Sequence, residues 1–325
     1  MEVCGRGVPG PSVRKVHVGF VGGPTSVGQT TPCALYTAAM PVEGTPGASA
    51  QSWVPLLIGT ALPARPYVAG AGIVEVLATA GYAPGASRVA LSRLCAEGSL
   101  ERRRDGRHTS YRLSRQMAET VASVGARVER FGHAGDWNGS WTIVLASVPD
   151  ELRSARRRLS AALAFLGFGR LREGTWIAAR TCEDEVTELV ARLELSALVD
   201  VFVGRPAGVA GVDTLLRRCW DLDSLTRRYQ DFVDRFADLR PQPARAALPP
   251  PDVLRWWLRV IHDYRELVHR DPELPPRSLP PAARALRAEV VQTYAVVHGG
   301  LRAPARAQVR AALGINAVRA SVGVG

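Results

Sequence analysis

The sequence predicts an α+β multidomain protein, with a winged helix-turn-helix, then a ferredoxin-like βαββαβ domain, then an all-helical C-terminal domain. Three observations predict it: a helix-turn-helix pattern followed by a basic hairpin, a later alternation of strand and helix signals, and helical segments joined by proline-rich stretches. A chain of 325 residues is long enough for two or three such cores. We divide it into a disordered extension (1–52), a winged helix domain (53–130), a ferredoxin-like domain (131–206), a helical domain (207–300) and a tail (301–325).

The first 52 residues are rich in Gly, Pro, Ser and Thr, a composition typical of disorder. After them, residues 68–80 show helical spacing, although Gly70 and Gly72 weaken the pattern. The stretch Gly81-Tyr82-Ala83-Pro84 breaks the chain before a second helix. On that second helix Ser87, Ala90, Leu91, Leu94 and Cys95 share one face, whereas Arg88, Val89, Ser92 and Arg93 point the other way.

The second helix is followed by a basic hairpin, with Gly98 as its stop signal and Asp105-Gly106 as the two-residue turn. Arginine forks and hydroxyl groups on a helix can match guanine edges and phosphates in a major groove. The formal net charge of +11 suits a polyanion but does not distinguish DNA from RNA or a membrane. The alternative to DNA binding is a small helical hairpin whose arginines are only solvated. The residues that we expect to contact DNA are Ser87, Arg88, Ser92, Arg93, Arg102, Arg103, Arg104, Arg107 and His108.

The middle of the chain has the order β-α-β-β-α-β, which predicts a split βαβ, ferredoxin-like sheet with two helices on one face. The strands are expected at 141–148, 170–171, 175–178 and 198–203, and the helices at 151–166 and 183–193. Arginines at 153 and 156–158 face outward on the first helix, as a solvated face or as auxiliary phosphate contacts.

From residue 212 the chain is predicted to be helical, with segments at 222–239, 252–268 and 282–298. Trp256 and Trp257 are adjacent and cannot share one face, so one ring is expected in the core and the other at an interface or ligand pocket. The five cysteines are scattered without a Cys-x-x-Cys pair, which predicts no metal site, no disulfide framework and a cytoplasmic protein. No apolar run is long enough to span a bilayer.

Three blocks together resemble the PaaX-like transcriptional repressors. The blocks are residues 88–94 with 106–111, then 137–141 with 148–149 and 167–169, then 264–265 with 271–275 and 279–280. The family usually has Asp where Asn138 stands here, and a Trp-containing turn where residues 281–284 read Pro-Ala-Ala-Arg.

The resemblance implies a winged helix, a central domain like the CRISPR-associated Cas2 proteins, a helical C-terminal domain and a homodimer. It also implies repression of a catabolic operon, of the phenylacetate catabolism type, that an acyl-CoA or aryl-CoA effector relieves. A CoA ester needs arginines for its phosphates and an apolar slot for its acyl group, which makes Trp256, Trp257 and Arg265 candidate effector residues. No cofactor is expected beyond this possible acyl-CoA effector.

Two other function classes remain open alongside this one. A Cas2-like fold can host a metal-dependent nuclease, and Asp150 lies just beyond the first strand, with Asp136 as the nearest acidic residue before it. Asp150 also precedes a predicted helix, where it would act as a cap. The second class is a protein-interaction module without DNA binding. We expect a regulator with double-stranded DNA as its partner, and no enzyme.

Overall fold

The computed structural model describes residues 14–16, 50–61, 67–133, 137–205 and 211–313. Most of the predicted extension, and the end of the predicted tail, lie outside the described residues. Two described parts of 1–52 are not irregular: residues 14–16 form a strand and residues 50–52 begin a helix. The strands are β1 (Arg14–Val16), β2 (Val68–Ala69), β3 (Leu100–Asp105), β4 (His108–Leu113), β5 (Trp141–Ala146), β6 (Gly169–Arg172), β7 (Thr175–Ala178) and β8 (Val199–Gly204).

The helices connect and flank these strands, and short 3₁₀ turns occur beside some of them. The helices are α1 (Ala50–Ala61), α2 (Gly70–Thr79), α3 (Pro84–Ala96), α4 (Arg115–Arg130), α5 (Arg153–Phe165), α6 (Glu183–Arg192), α7 (Val212–Cys219), α8 (Leu222–Phe236), α9 (Gln242–Ala246), α10 (Pro250–Arg270) and α11 (Pro281–Ala312). None of the helices in the described ranges is both long enough and apolar enough to cross a membrane. The chain is mixed α+β with a helical C-terminal region, as predicted.

The central sheet has the strand order β1-β8-β5-β7-β6, with every neighbouring pair antiparallel. The helix α5 connects β5 to β6, and α6 connects β7 to β8, so β5 to β8 form the predicted split βαβ. The two helices bury apolar side chains spaced three and four residues apart, including Leu159 and Leu163 on α5 and Val186 and Leu189 on α6. The predicted βαββαβ order is confirmed.

A second, three-stranded sheet has the order β2-β4-β3. Helices α1 and α2 each pack against α3, and α1 also packs against α4. The predicted helix at 68–80 is shorter, because Val68 and Ala69 pair with Tyr111 and Ser110 as strand β2. The helix α4 follows this sheet and begins at the cap residue Ser114, whose hydroxyl accepts a hydrogen bond from the Met117 amide.

Two glycines in the first turn of α2 have packing roles that the sequence does not reveal. A Cβ at Gly70 would lie 2.6 Å from the Tyr111 ring. A Cβ at Gly72 would lie 1.8 Å from the carbonyl oxygen of Ala312, at the end of α11. Glycine weakens a helix in isolation, but here it permits the close approach of a strand side chain and a distant helix end.

The last helix extends well past its predicted end at His298. Gly299, Gly300 and Pro304 are unfavourable inside a helix, yet α11 continues to Ala312. The reason is burial: Leu301, Ala305 and Val309 repeat every fourth residue, and each is at most 1% exposed. Tertiary packing therefore overrides the local preference for a helix end, and residues 301–312 are not a tail.

Aromatic rings stack between α10 and α11. The rings of Tyr264 and Tyr294 are parallel, with centroids 3.7 Å apart, and the His298 ring lies 4.8 Å from that of Tyr294. Trp257 stacks on His298 at 6.1 Å. Burial, with smaller contributions from the nearby Arg302 and Arg306 cations, lowers the pKa of His298 to about 4. This histidine is therefore a neutral member of the core at neutral pH.

Contacts group the residues into two units, neither of which is contiguous in sequence. Of the described residues, the first contains 14–16, 133, 137–205, 211–226 and 269–284, and the second contains 50–61, 67–132, 227–268 and 285–313. The central sheet thus belongs to the first unit. The three-stranded sheet, with α1 to α4 and most of α10 and α11, belongs to the second.

Candidate nucleic-acid interface

The boundary between α2 and α3 is set by Gly81 and Pro84. Gly81 has a φ of 94°, which ends α2, and Pro84 occupies the first turn of α3, where its fixed φ suits a helix and its missing N–H costs nothing. The inner face of α3 is buried, with Ala90, Leu91 and Leu94 each at most 5% exposed. This anchoring fixes which face is left for solvent.

The outer face of α3 presents Arg88, Val89, Ser92 and Arg93, all of them exposed. Val89 is 52% exposed. Within the described part of the chain, no carboxylate pairs with Arg88 or Arg93. The face therefore offers two guanidinium groups, a hydroxyl and an apolar group to a partner.

Ser87 does not belong to this surface. It is 0% exposed, and its hydroxyl donates to the Ala83 carbonyl at 3.4 Å. Helical spacing places Ser87 on the inner face with Ala90 and Leu91, and the structure agrees with that spacing. Burial removes Ser87 from the candidate contacts.

The hairpin β3–β4 follows α3 directly, and its turn lies one residue later than predicted. Asp105 pairs with His108, so the two turn residues are Gly106 and Arg107. Gly106 has a φ of 56°, which a two-residue loop requires at this position. Because side chains alternate along a strand, arginines emerge on both faces of the hairpin.

The hairpin arginines differ in how firmly they are held. The Arg103 guanidinium lies 4.6 Å above the Tyr67 ring, and Arg112 lies 4.9 Å from the same ring while its Nη2 donates to Glu101 at 2.5 Å. Tyr67 is a platform that the sequence pattern did not reveal, because nothing in the spacing links it to the hairpin. Arg102, Arg104, Arg107 and His108 are exposed.

Cys95 lies on α3 next to this surface. Burial raises the pKa of its thiol, and the nearby Arg102 cation only partly opposes the shift. The thiol is therefore protonated at neutral pH, which does not suit a nucleophile or a redox sensor.

The residues considered for nuclease chemistry are not assembled as a metal site. Asp150 is exposed and forms an ion pair with Arg156 at 2.9 Å, at the start of α5. Asp136 lies outside the described residues. Among the described residues, no group of three or more His, Cys, Asp or Glu side chains is arranged to hold a metal ion. The other outward-facing arginines of α5, at 153, 157 and 158, are exposed.

The candidate effector residues all lie on α10 but have different surroundings. Trp257 is 1% exposed and belongs to the core. Trp256 is half-buried, with its ring 6.1 Å from that of Phe236. Arg265 lines a small cavity between α1, the end of α3, α4 and α10. Of the three, only Trp257 is in the core, and Trp256 and Arg265 lie nine residues apart on opposite faces of α10.

Three successive stretches of the chain match family models. Residues 49–117 match the PaaX-like protein family, residues 134–215 match the central Cas2-like domain of the PaaX protein, and residues 220–308 match the PaaX-like C-terminal domain. The second match covers four of the five strands of the central sheet, β5 to β8, together with α5 and α6. The order of the matches is the order that the sequence blocks predict.

Two individual proteins are similar to this chain. The transcriptional repressor PaaX of Escherichia coli (strain K12) is 28% identical over 248 residues, which are 74% of this chain and 76% of that protein. A solved structure, of the uncharacterized protein Rv0674 from Mycobacterium tuberculosis, is 22% identical, with a TM-score of 0.49 over 79% of this chain and 98% of that one. On the three consecutive family matches, the chain belongs to the PaaX-like family, with a Cas2-like central domain.

Proposed function

We propose that this protein is a transcriptional repressor whose N-terminal part, about residues 53–130, binds DNA as a winged helix. The observation that carries the proposal is the exposed face of α3, in which Arg88 and Arg93 have no carboxylate partner among the described residues, next to an arginine-rich hairpin. The E. coli relative is a transcriptional repressor by name. The proposed contacts are Arg88, Ser92, Arg93, Arg102, Arg103, Arg104, Arg107 and His108.

The chemistry of this surface assigns different roles to its two parts. A guanidinium group can donate two hydrogen bonds to the O6 and N7 atoms of guanine, so α3 would read bases in the major groove. Its exposed Val89 side chain suits contact with a thymine methyl group. The hairpin would lie along the backbone, where exposed arginines neutralise phosphates without reading sequence. Arg103, held above Tyr67, is oriented before DNA arrives.

We further propose that the protein acts as a homodimer. One recognition helix covers only a few base pairs, so useful specificity requires two copies. A two-fold dimer places two identical helices on a pseudo-palindromic site. The central domain, with its sheet and helix faces, is the proposed place of dimerisation.

Selection of bound duplexes from a random DNA pool tests both proposals together. We expect enrichment of an inverted repeat whose half-sites lie about one helical turn, or a multiple of it, apart. Light scattering of the free protein should give twice the mass of the 34.9 kDa chain. A monomer that enriches a short asymmetric site would contradict the dimer, and no enrichment above the starting pool would contradict specific DNA binding.

We propose that an acyl-CoA or aryl-CoA ester releases the repressor from DNA, with Trp256 at the site of its acyl group. Arg265, nine residues further along α10, lies on the opposite face of the helix and belongs to a separate surface. The half-buried indole ring of Trp256 has the apolar surface that an acyl group needs. Trp257, which is in the core, would act only through its packing. The effector would have to prefer a dimer geometry that no longer matches adjacent grooves, since only differential affinity shifts an equilibrium.

Titration of CoA esters against a preformed DNA complex measures this coupling. A coupling of about 1–3 kcal/mol would change operator affinity by roughly 5- to 150-fold. Free CoA and the free acids serve as controls, and Trp256→Leu should reduce the response without changing affinity for DNA in the absence of an ester. If no ester changes either DNA occupancy or tryptophan fluorescence, acyl-CoA sensing is wrong for this protein.

A further inference from the structure

The loop that leads into β5, at residues 137–140, is held in one conformation by its own side chains. The Trp137 indole N–H donates to the Ser140 carbonyl at 2.7 Å, and the Asn138 side-chain oxygen accepts from the Ser140 amide at 2.8 Å. Gly139 has a φ of 83°, which a residue with a side chain rarely adopts. The loop therefore presents the Trp137 and Asn138 carbonyl groups in fixed directions.

Two arginines from distant parts of the chain meet at this loop. The Arg205 Nη2 atom donates to the Asn138 carbonyl at 2.7 Å, and the Arg277 Nη2 atom donates to the Trp137 carbonyl. The Arg277 guanidinium group also lies 5.0 Å from the centre of the Trp137 ring. Because the two carbonyl groups belong to neighbouring residues, whose Cα atoms are about 3.8 Å apart, the two guanidinium groups are held near each other. All four residues belong to the first unit.

Within the described ranges, this pair of cations has no carboxylate partner. Arg205 and Arg277 are both exposed, and each is bonded to a backbone carbonyl. The side chain of Asn138, between them, is a neutral amide. Each guanidinium group has five N–H donors and uses one of them on the loop, so donors on both remain available to an anion. An anion that contacts both groups also removes the repulsion between the two like charges.

The number and charge of these donors define the anion. A carboxylate has two oxygens and one charge, which a single guanidinium group can satisfy as a bidentate pair. A phosphomonoester has three terminal oxygens and a charge of about −1.5 to −2 at pH 7, so it can accept from both groups and balance both charges. Guanidinium groups are also more weakly hydrated than ammonium groups, which favours direct contact with phosphate.

We propose that Arg205 and Arg277 form a binding site for the phosphate of a small phosphomonoester, beside the loop 137–140. Trp137 and Asn138 position the two guanidinium groups through their carbonyl oxygens. The site belongs to the first unit, whereas the residues proposed to contact DNA belong to the second. The proposal does not rest on the repressor function, since phosphate binding is measured on the free protein.

Titration of the DNA-free protein with phenyl phosphate tests the site. Calorimetry gives the affinity, and protein labelled with ¹⁵N in its tryptophan indole groups shows where binding occurs. The Trp137 signal, assigned with Trp137→Phe, is expected to shift saturably, whereas the signals of Trp53 and Trp256, in the second unit, should stay unchanged. Phenyl sulfate and benzoate carry one negative charge each and should bind about 5- to 10-fold more weakly, because one cation stays unbalanced.

Three variants test the two cations. Asn138→Asp places a carboxylate beside them without removing either, and its oxygen can still accept from the Ser140 amide, so the loop is retained. We expect it to weaken phenyl phosphate binding about 10-fold or more, as should Arg205→Gln and Arg277→Gln, which each remove charge-assisted hydrogen bonds. Arg172→Ala, on β6 in the same unit, is the control for loss of one exposed positive charge and should bind as the wild type does.

The proposal is overturned if phenyl phosphate causes no saturable shift of the Trp137 signal, if phenyl sulfate binds equally well, or if Asn138→Asp binds phenyl phosphate as tightly as the wild type. It is also overturned if Arg172→Ala loses as much affinity as the Arg205 and Arg277 variants, because binding would then reflect positive charge in general. Success or failure in selecting a DNA site bears on the repressor function and leaves these results unaffected.

Discussion

Replacing Arg88 or Arg93 with alanine is expected to weaken binding to the selected operator by about 1–3 kcal/mol and to relax its sequence preference. Both side chains are exposed on the face of α3 that the core leaves free, and a bidentate contact to guanine is lost with the guanidinium group. Gel-shift titrations of the operator, and of the same duplex with its conserved guanines replaced, measure the two effects separately.

Variants in the hairpin β3–β4 distinguish contacts to phosphates from recognition of bases by α3. Arg104→Ala and Arg107→Ala should weaken all duplexes about equally and reduce the slope of log affinity against log salt by about one each. Arg192→Ala, on α6 of the central domain, is the control for loss of one exposed positive charge. If the Arg88 and Arg93 variants bind the operator as tightly as the wild type, α3 does not lie in the major groove. That conclusion holds for any result with the hairpin variants.

Acidification from pH 7 to pH 4.5 is expected to cost the wild type about 2–3 kcal/mol more of its free energy of unfolding than it costs His298→Phe. The pKa of His298 is lowered from 6.5 to about 4, so between these values the unfolded chain takes up a proton that the folded protein does not. Stability from this residue is therefore complete above about pH 6.5 and lost as the pH falls towards 4. Urea denaturation at the two pH values measures it.

Phenylalanine keeps the stack with Tyr294 and Trp257 but cannot titrate. The comparison is not disturbed by Asp263, whose pKa is lowered to about 2 by hydrogen bonds from His262, Arg259 and Arg235 that outweigh its burial. A lowered carboxyl pKa contributes stability that is lost only below about pH 4. His108→Gln, on the exposed hairpin, is the control. Equal losses for wild type and His298→Phe would show that His298 is not a buried neutral group.

Periodicity and turn signals were sufficient for much of the architecture. The order of strands and helices at residues 141–203 was predicted from apolar periodicity, because each of these elements buries one apolar face. The outer face of α3 followed from helical spacing alone. The position of the hairpin turn was wrong by one residue, because a short turn can be shifted by one position without changing the pattern of the strands.

What could not be predicted depends on contacts between residues distant in sequence. Tyr67 supports Arg103 across the sheet, and Gly72 approaches the carbonyl oxygen of Ala312, 240 residues later in the chain. The end of α11 was placed too early because Gly299 and Gly300 are poor helix formers, whereas burial of Leu301 and Val309 decides the outcome. No local pattern contains this information.

The contact between Gly72 and the end of α11 has a consequence during synthesis on the ribosome. The surface of α2 that α11 covers emerges roughly 240 positions before Ala312, which at typical translation rates is about 12–50 s earlier. Before residues 312 and 313 are synthesised, the end of α11 cannot pack against α2. Leu313, which is 2% exposed in the folded protein, belongs to this late segment. A nascent chain stalled before residue 312 is therefore expected to expose the surface of α2 that the end of α11 covers in the folded protein.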